Sequence, residues 1–255
     1  MNLTDENDKQ QAEDRSERPE QRPIRAVIVG AGHRSMLYAS YSVSHADELR
    51  IAGVVEPDDV RRKAAMDAYN LAPERGYTSI EQLIAGPRIA DVAFNGTMDH
   101  LHVATTLPLL EAGYDVLLEK PIGVSENEVR ELQETANRLG RKVMICHELR
   151  YAPFYAEIRK RLQRGVIGEV INMQFAENGS YHHIASAYVR GKWNSEKRGG
   201  SSMLMAKCCH DLDLMVWMKA GVKPLRVSSM GGRMLFREEQ KPEGAGTRCL
   251  VDCPL

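Results

Sequence analysis

The sequence has no apolar run approaching the roughly 18 residues that a membrane-spanning helix requires. Its opening, MNLTDENDKQ, has neither the basic start nor the apolar core of a secretory leader. Charge of one sign is not in excess either: 34 Lys and Arg against 35 Asp and Glu leave a formal net charge of -1. Such a balance gives no general attraction to nucleic acid or to an anionic membrane, so small-molecule partners are expected. The five cysteines, Cys146, Cys208, Cys209, Cys249 and Cys253, are odd in number and irregularly spaced. That argues against a disulfide framework and for free thiols in a soluble, cytoplasmic protein. Cys249 and Cys253 supply two ligands of a C-x-x-x-C, and two ligands do not hold zinc, so no metal site is expected.

With 255 residues, 43% of them hydrophobic, there is material for two cores. Residues 1–23 have almost nothing to bury and read as a flexible tail. From Ile24 the texture changes to IRAVIVG, and β-branched runs recur over 50–56, 91–96, 114–120 and 142–148. Segments of helical spacing lie between them, near 34–46, 57–70, 99–112 and 125–139. This alternation predicts a doubly wound parallel α/β sheet over 24–148. Beyond Glu148 the rhythm breaks. An amphipathic helix is expected over 151–164, an alternating strand over 168–179, a polar loop over 179–200, a mostly apolar and buried helix over 202–219, and a second strand over 224–236. That order suggests an α+β domain over 149–255, and two strands make an incomplete sheet.

The first strand runs straight into Gly30-Ala31-Gly32-His33-Arg34-Ser35. A glycine at 30 permits the tight turn, and one at 32 lets backbone approach a pyrophosphate at a helix N-terminus. Ser35 stands at the third small position. Glu56 closes the second strand, where a carboxylate accepts hydrogen bonds from the adenosine ribose and repels a 2′-phosphate. NAD is therefore expected over NADP, although Arg34, Arg61 and Arg62 are within sequence reach of such a phosphate. A bare G-x-G is also compatible with an ordinary turn, and Glu56 with a solvated helix cap.

Two more segments fall at carboxyl ends of expected strands, where ligands bind open α/β sheets: Asn95-Gly96-Thr97-Met98-Asp99-His100-Leu101-His102 and Glu119-Lys120-Pro121. His33, Arg34, Asn95, His100, His102 and Glu119 join Gly30, Gly32 and Glu56 as candidates for the cofactor site. His102 is expected to pack near the cofactor. Lys120 can orient a substrate hydroxyl, or else pair with Glu119 at a sheet edge. In the second half, Lys207-Cys208-Cys209-His210-Asp211 interrupts an apolar helix. Positions 207, 210, 211 and 214 share a helical face, so Lys207 and His210 would be neighbours, with Asp211 or Asp213 able to orient the imidazole. His210 is a general-base candidate, Lys207 its rival, and a structural histidine the alternative.

Together, GAGHRS, NGTMDHLH, EKPIG, RYAPFY and GGSSMLMAKCCHDLDLMVW resemble the glucose-fructose oxidoreductase and inositol dehydrogenase (Gfo/Idh/MocA) family, in unbroken order over residues 24 to about 220. The resemblance implies a Rossmann domain followed by an open-sheet α+β domain, NAD or NADP, and hydride transfer at a carbinol carbon of a sugar, cyclitol or related polyol. It also implies that Lys120 holds the reacting hydroxyl, that His210 removes its proton, and that the Lys120–Pro121 bond is cis. Substrate-contact candidates are Tyr151, Arg190 and Trp193, since sugars are held by aromatic faces and a few directed polar groups. The sequence departs from the family at Ala206, where an Asp is usual, and at Met98, where Pro is common. Family members continue through further strands, so the chain is expected to be C-terminally truncated; with a complete second domain it would be a homo-oligomer. Two further activities are compatible with the pattern: NAD-assisted glycosidic cleavage, and cofactor binding without turnover.

Overall fold

A computed structural model describes residues 22–232, 234–248 and 251–254 of the chain. All of the expected tail except Arg22 and Pro23 lies outside the described residues, as does Cys249. The chain divides into two compact units at the junction of His147 and Glu148.

Among the described residues, the first unit is built on six strands: β1 (Ile24–Val29), β2 (Leu49–Val55), β3 (Gly76–Tyr77), β4 (Val92–Asn95), β5 (Asp115–Leu118) and β6 (Val143–Ile145). They lie in the order β3-β2-β1-β4-β5-β6, every neighbouring pair parallel. Successive β1 side chains enter opposite faces, as the pleat requires. Val27 and Val29 join one core with Leu109, Leu110, Leu132 and Ala136, while Ala26 and Ile28 join the other with Ala39, Val54 and Ala65. Burial on both faces explains why β1 is a continuous apolar run.

Among the described residues, six α-helices flank this sheet: α1 (His33–Ala39), α2 (Tyr41–Ser44), α3 (Asp59–Ala68), α4 (Ile80–Ile84), α5 (His102–Glu111) and α6 (Glu126–Leu139). The Ser125 hydroxyl caps α6 by accepting the Glu128 N–H, and Gly140 closes it at φ 61°. The helix expected over 34–46 is two pieces. Ser40 and Ser42 turn their hydroxyls back on the carbonyls of Leu37 and Ala39, both at 2.7 Å, in competition with the helical ladder. The short β3 and α4 were not anticipated, being too brief to show a period. Strand order reverses between β1 and β4, and the carboxyl ends of those strands therefore flank the crevice where open α/β sheets bind ligands.

The second unit lacks, among its described residues, the two strands expected there. Its regular elements among the described residues are helical: α7 (Pro153–Gln163), α8 (Tyr181–Ile184), α9 (Glu196–Gly199) and α10 (Met203–Met218), with a π-turn over Ala185–Val189. The strands expected over 168–179 and 224–236 are irregular among the described residues, with position 233 outside them. An extended segment gains its backbone hydrogen bonds only from a neighbouring strand, and neither finds one. Ile171, Leu225 and Val227 are accordingly solvent-exposed. The stretch expected as a polar loop, 179–200, instead folds into the turns of α8, the π-turn and α9.

Candidate functional site

Gly30 leaves β1 at φ +78°, a left-handed conformation that L side chains rarely adopt. Its N–H donates to the Val55 carbonyl at 2.8 Å, so the turn is pinned to the end of β2. A Cβ at Gly30 would lie 3.1 Å from the Gly96 carbonyl oxygen, whereas one at Gly32 meets nothing nearer than 3.9 Å. Gly32 is the N-cap of α1 in extended conformation, and no side chain caps that end. The first-turn amides of α1 therefore have no capping side chain. His33 and Arg34 are exposed in that first turn.

Glu56 is a buried carboxylate, 3% exposed, and not a solvated cap. Its Oε2 accepts the Ala31 N–H at 2.8 Å and its Oε1 the Asp58 N–H at 3.1 Å. The cap of α3 is Asp58, which accepts the Arg61 N–H at 2.9 Å. Arg61 reaches back to Glu56 Oε1 at 3.2 Å. Arg62 is committed elsewhere, to the Glu56 carbonyl at 2.7 Å and to Asp59. Glu56 and the glycine turn are therefore one hydrogen-bonded unit, formed by residues 25 apart in the chain.

At the end of β4, Asn95 organises the next loop. Its amide donates to Thr105 and Thr106 hydroxyls at 2.8 and 2.9 Å, and its carbonyl oxygen accepts the Thr97 hydroxyl at 2.9 Å. His102, 1% exposed, spans two loops, with Nδ1 2.6 Å from the Pro121 carbonyl and Nε2 3.2 Å from that of Thr97. Asn95 and His102 thus brace the crevice, with their polar atoms engaged by protein groups. His100 is exposed.

At the end of β5, Glu119 is 7% exposed and accepts hydrogen bonds at both oxygens: the Tyr38 phenol at Oε1 and the Lys120 backbone N–H, at 3.0 Å, at Oε2. Burial, followed by the Glu119 carboxylate, pushes the Tyr38 phenol above its ordinary range. Lys120 is half-buried, and its bond to Pro121 is cis. Tyr38 was missed in the sequence because its partner lies 81 residues away and a tyrosine on a short helix carries no local signal.

In the second unit, the Ser202 hydroxyl caps α10 by accepting the Met205 N–H at 3.1 Å. The helix is less buried than its composition suggested: Ala206 and Leu214 are its buried residues, while Leu204, Leu212 and Val216 are more than half exposed. His210 is 13% exposed, with Nδ1 3.7 Å from a Glu148 oxygen. Glu148 is thus a carboxylate beside its ring, a neighbour the sequence reading did not name. Asp213 is taken by Arg150, which donates through Nε at 2.6 Å and through a second guanidinium nitrogen. Burial, then Glu177, raises the Asp211 carboxyl above its usual range. Lys207 Nζ lies 2.7 Å from His183 Nε2, so this ammonium faces the α8 turn. Of the substrate candidates, Tyr151 and Arg190 are exposed, and Trp193 is half-buried with the Lys192 ammonium 4.9 Å from its ring. Among the described residues no cluster of His, Cys, Asp and Glu fits a metal ion, and no helix is long and apolar enough to cross a membrane.

Two consecutive family models match the chain: the GFO/IDH/MocA oxidoreductase family with an NAD-binding Rossmann fold over residues 24–147, and the GFO/IDH/MocA C-terminal domain over 155–246. The chain is 30% identical over 188 residues to a trans-1,2-dihydrobenzene-1,2-diol dehydrogenase of Bos taurus, an alignment covering 73% of this chain and 52% of that protein. It spans about half the length of the curated relatives it matches. Among solved structures it superposes on myo-inositol 2-dehydrogenase from Lactobacillus plantarum with a TM-score of 0.68 at 22% identity, covering 77% of this chain and 56% of that one. The WlbA dehydrogenase from Bordetella pertussis, solved with NADH and UDP-GlcNAcA, gives 0.65 at 21% identity over 79% and 56% of the two chains. At such identities the structural likeness speaks for the fold.

Proposed function

The chain belongs to the GFO/IDH/MocA oxidoreductase family, and on that premise we propose that it binds NAD(H) and transfers a hydride between nicotinamide and a carbinol carbon of a sugar, cyclitol or related polyol. The observation that carries this reading is the bond from the Ala31 N–H to Glu56, which fixes a turn with glycine at both ends beside a buried carboxylate at the carboxyl edge of the sheet. That cradle fits a dinucleotide. Its wall is backbone at Gly30 and Gly32, one uncapped helix end receives the pyrophosphate, and Glu56 faces the ribose.

When bound, the nicotinamide supplies a two-electron hydride acceptor or donor. The chain's own residues do the rest. In the oxidative direction His210 takes the hydroxyl proton as the carbinol C–H bond breaks, and Lys120 stabilises the alkoxide character that develops on that oxygen. Glu148 orients the His210 imidazole, and Glu119 holds the backbone of Lys120. Tyr151, Arg190 and Trp193 are assigned to the polyol. NAD is preferred over NADP because the buried Glu56 charge opposes a 2′-phosphate. Titration with NADH and NADPH by nicotinamide fluorescence, followed by an assay for NADH formation on a panel of polyols, tests the reading. Failure to bind either dinucleotide rejects it, and binding without turnover on any polyol rejects the oxidoreductase half.

A further inference from the structure

The buried carboxylate of Glu119 stands between two elements that the proposed reaction uses separately. One is α1, whose N-terminal end forms part of the dinucleotide cradle and whose last turn carries Tyr38. The other is the segment after β5 that carries Lys120. Tyr38 is half-buried against the sheet face formed by Ala26, Ile28, Val54 and Phe94, which fixes its ring and leaves its hydroxyl directed at Glu119. A carboxylate that is 7% exposed needs donors at both oxygens, and it has one at each: the Tyr38 O–H and the Lys120 N–H.

We propose that Tyr38 is a positioning residue for Lys120: its hydroxyl fixes the Glu119 carboxylate, whose other oxygen anchors the Lys120 backbone. The Tyr38 O–H is the donor at Glu119 Oε1. Without the phenol oxygen, the carboxylate retains one charge-assisted bond and gains the freedom to turn away from Lys120. This rests on reading Lys120 as the group that orients the reacting hydroxyl. The coupling runs through two hydrogen bonds and one side chain, so it predicts a local effect that general loosening of the fold does not reproduce.

Tyr38→Phe removes one oxygen and keeps the ring that packs on the sheet. Amide hydrogen exchange in the free chain is then measured at Lys120, with Ala31 and Gly96 as controls, since their N–H groups bond Glu56 and Val29 without involving Tyr38. Exchange at Lys120 is expected to quicken about fivefold, the loss of roughly one hydrogen bond, and to stay unchanged at the two controls. Glu119→Gln, which retains shape and weakens the acceptor, should give the same selective rise. In turnover, Tyr38→Phe should lower kcat by about fivefold while the NADH Kd stays within about twofold. Unchanged exchange at Lys120, an equal rise at all three amides, or an unmoved kcat would each overturn the proposal. Should the wild-type chain turn over no polyol, the proposed function fails, and exchange at Lys120 still decides whether Tyr38 positions that residue.

Discussion

The buried hydroxyl of Ser35 faces the α-carbon of Gly96 so closely that a Cβ built on Gly96 would fall 2.2 Å from Ser35 Oγ. Ser35 is 1% exposed, and its Oγ has no hydrogen-bond partner among the described residues. The third small residue of the turn after β1 and the glycine after β4 are thus a matched pair, each limited in size by the other.

Gly96→Ala is expected to destabilise the first unit by about 1–2 kcal/mol, the cost of an overpacked contact. Ser35→Ala should be neutral or slightly stabilising, because it deletes a buried hydroxyl that makes no bond. With that oxygen gone the nearest Ser35 atoms are 3.5 Å from the new methyl, an ordinary contact, so the double variant should recover most of the loss. Urea unfolding of the four proteins tests this. Additive effects in the double variant would refute the steric coupling.

Glu56→Gln keeps an acceptor for the Ala31 N–H and removes the charge. NADH affinity is expected to fall about tenfold, since a charge-assisted bond to the ribose is lost, while NADPH affinity holds or rises as Arg61 is released from its partner. The readout is the ratio of the two Kd values by fluorescence titration. A ratio that does not move would detach Glu56 from the ribose and leave it only the loop contact.

The first unit was legible because its signals are local or periodic. A both-sides-buried strand such as β1 advertises itself in composition, and Gly30 and Gly32 sit where one strand meets one helix. Glu56 was legible for its place at the end of β2, although its bond to Ala31 was not. Tyr38 with Glu119, and His210 with Glu148, pair residues 81 and 62 positions apart, and nothing in either segment names its partner. The two expected strands of the second unit failed for a different reason. Alternation specifies a strand only if a neighbour supplies its hydrogen bonds, and that condition lies outside the segment itself.

Asp91 links pH to the stability of the first unit. The Arg22 guanidinium beside it, helped by the Arg25 N–H, holds its carboxyl well below the usual carboxylate range. A carboxyl depressed in the folded chain stabilises it fully above the unfolded value of about 3.9, and that stabilisation is lost as pH falls toward the folded value. The stability difference between wild type and Asp91→Asn should therefore be largest at neutral pH and shrink progressively below about pH 5. Chemical unfolding at pH 7, 5, 4 and 3 provides the test, and a difference that stays constant over that range would contradict the linkage.

The sharpest test of the chemistry concerns Lys120 and His210. Hydride can leave a carbinol carbon only as its hydroxyl proton is withdrawn, so a base must reach that oxygen and a cationic group must stabilise it. An imidazole titrates near neutrality and suits the first task; an ammonium suits the second. Replacing either residue by Ala is expected to lower kcat by roughly 100-fold or more while the NADH Kd barely changes, because neither side chain is assigned to the dinucleotide. The double variant should be little worse than the poorer single one, since both are proposed to act on one proton transfer. Lys207 supplies the control. Its ammonium lies 2.7 Å from His183 Nε2, so Lys207→Ala should cost much less than His210→Ala. If Lys207→Ala abolishes turnover and His210→Ala preserves it, the proton is taken by the lysine one helical turn earlier, and the role assigned to His210 passes to it.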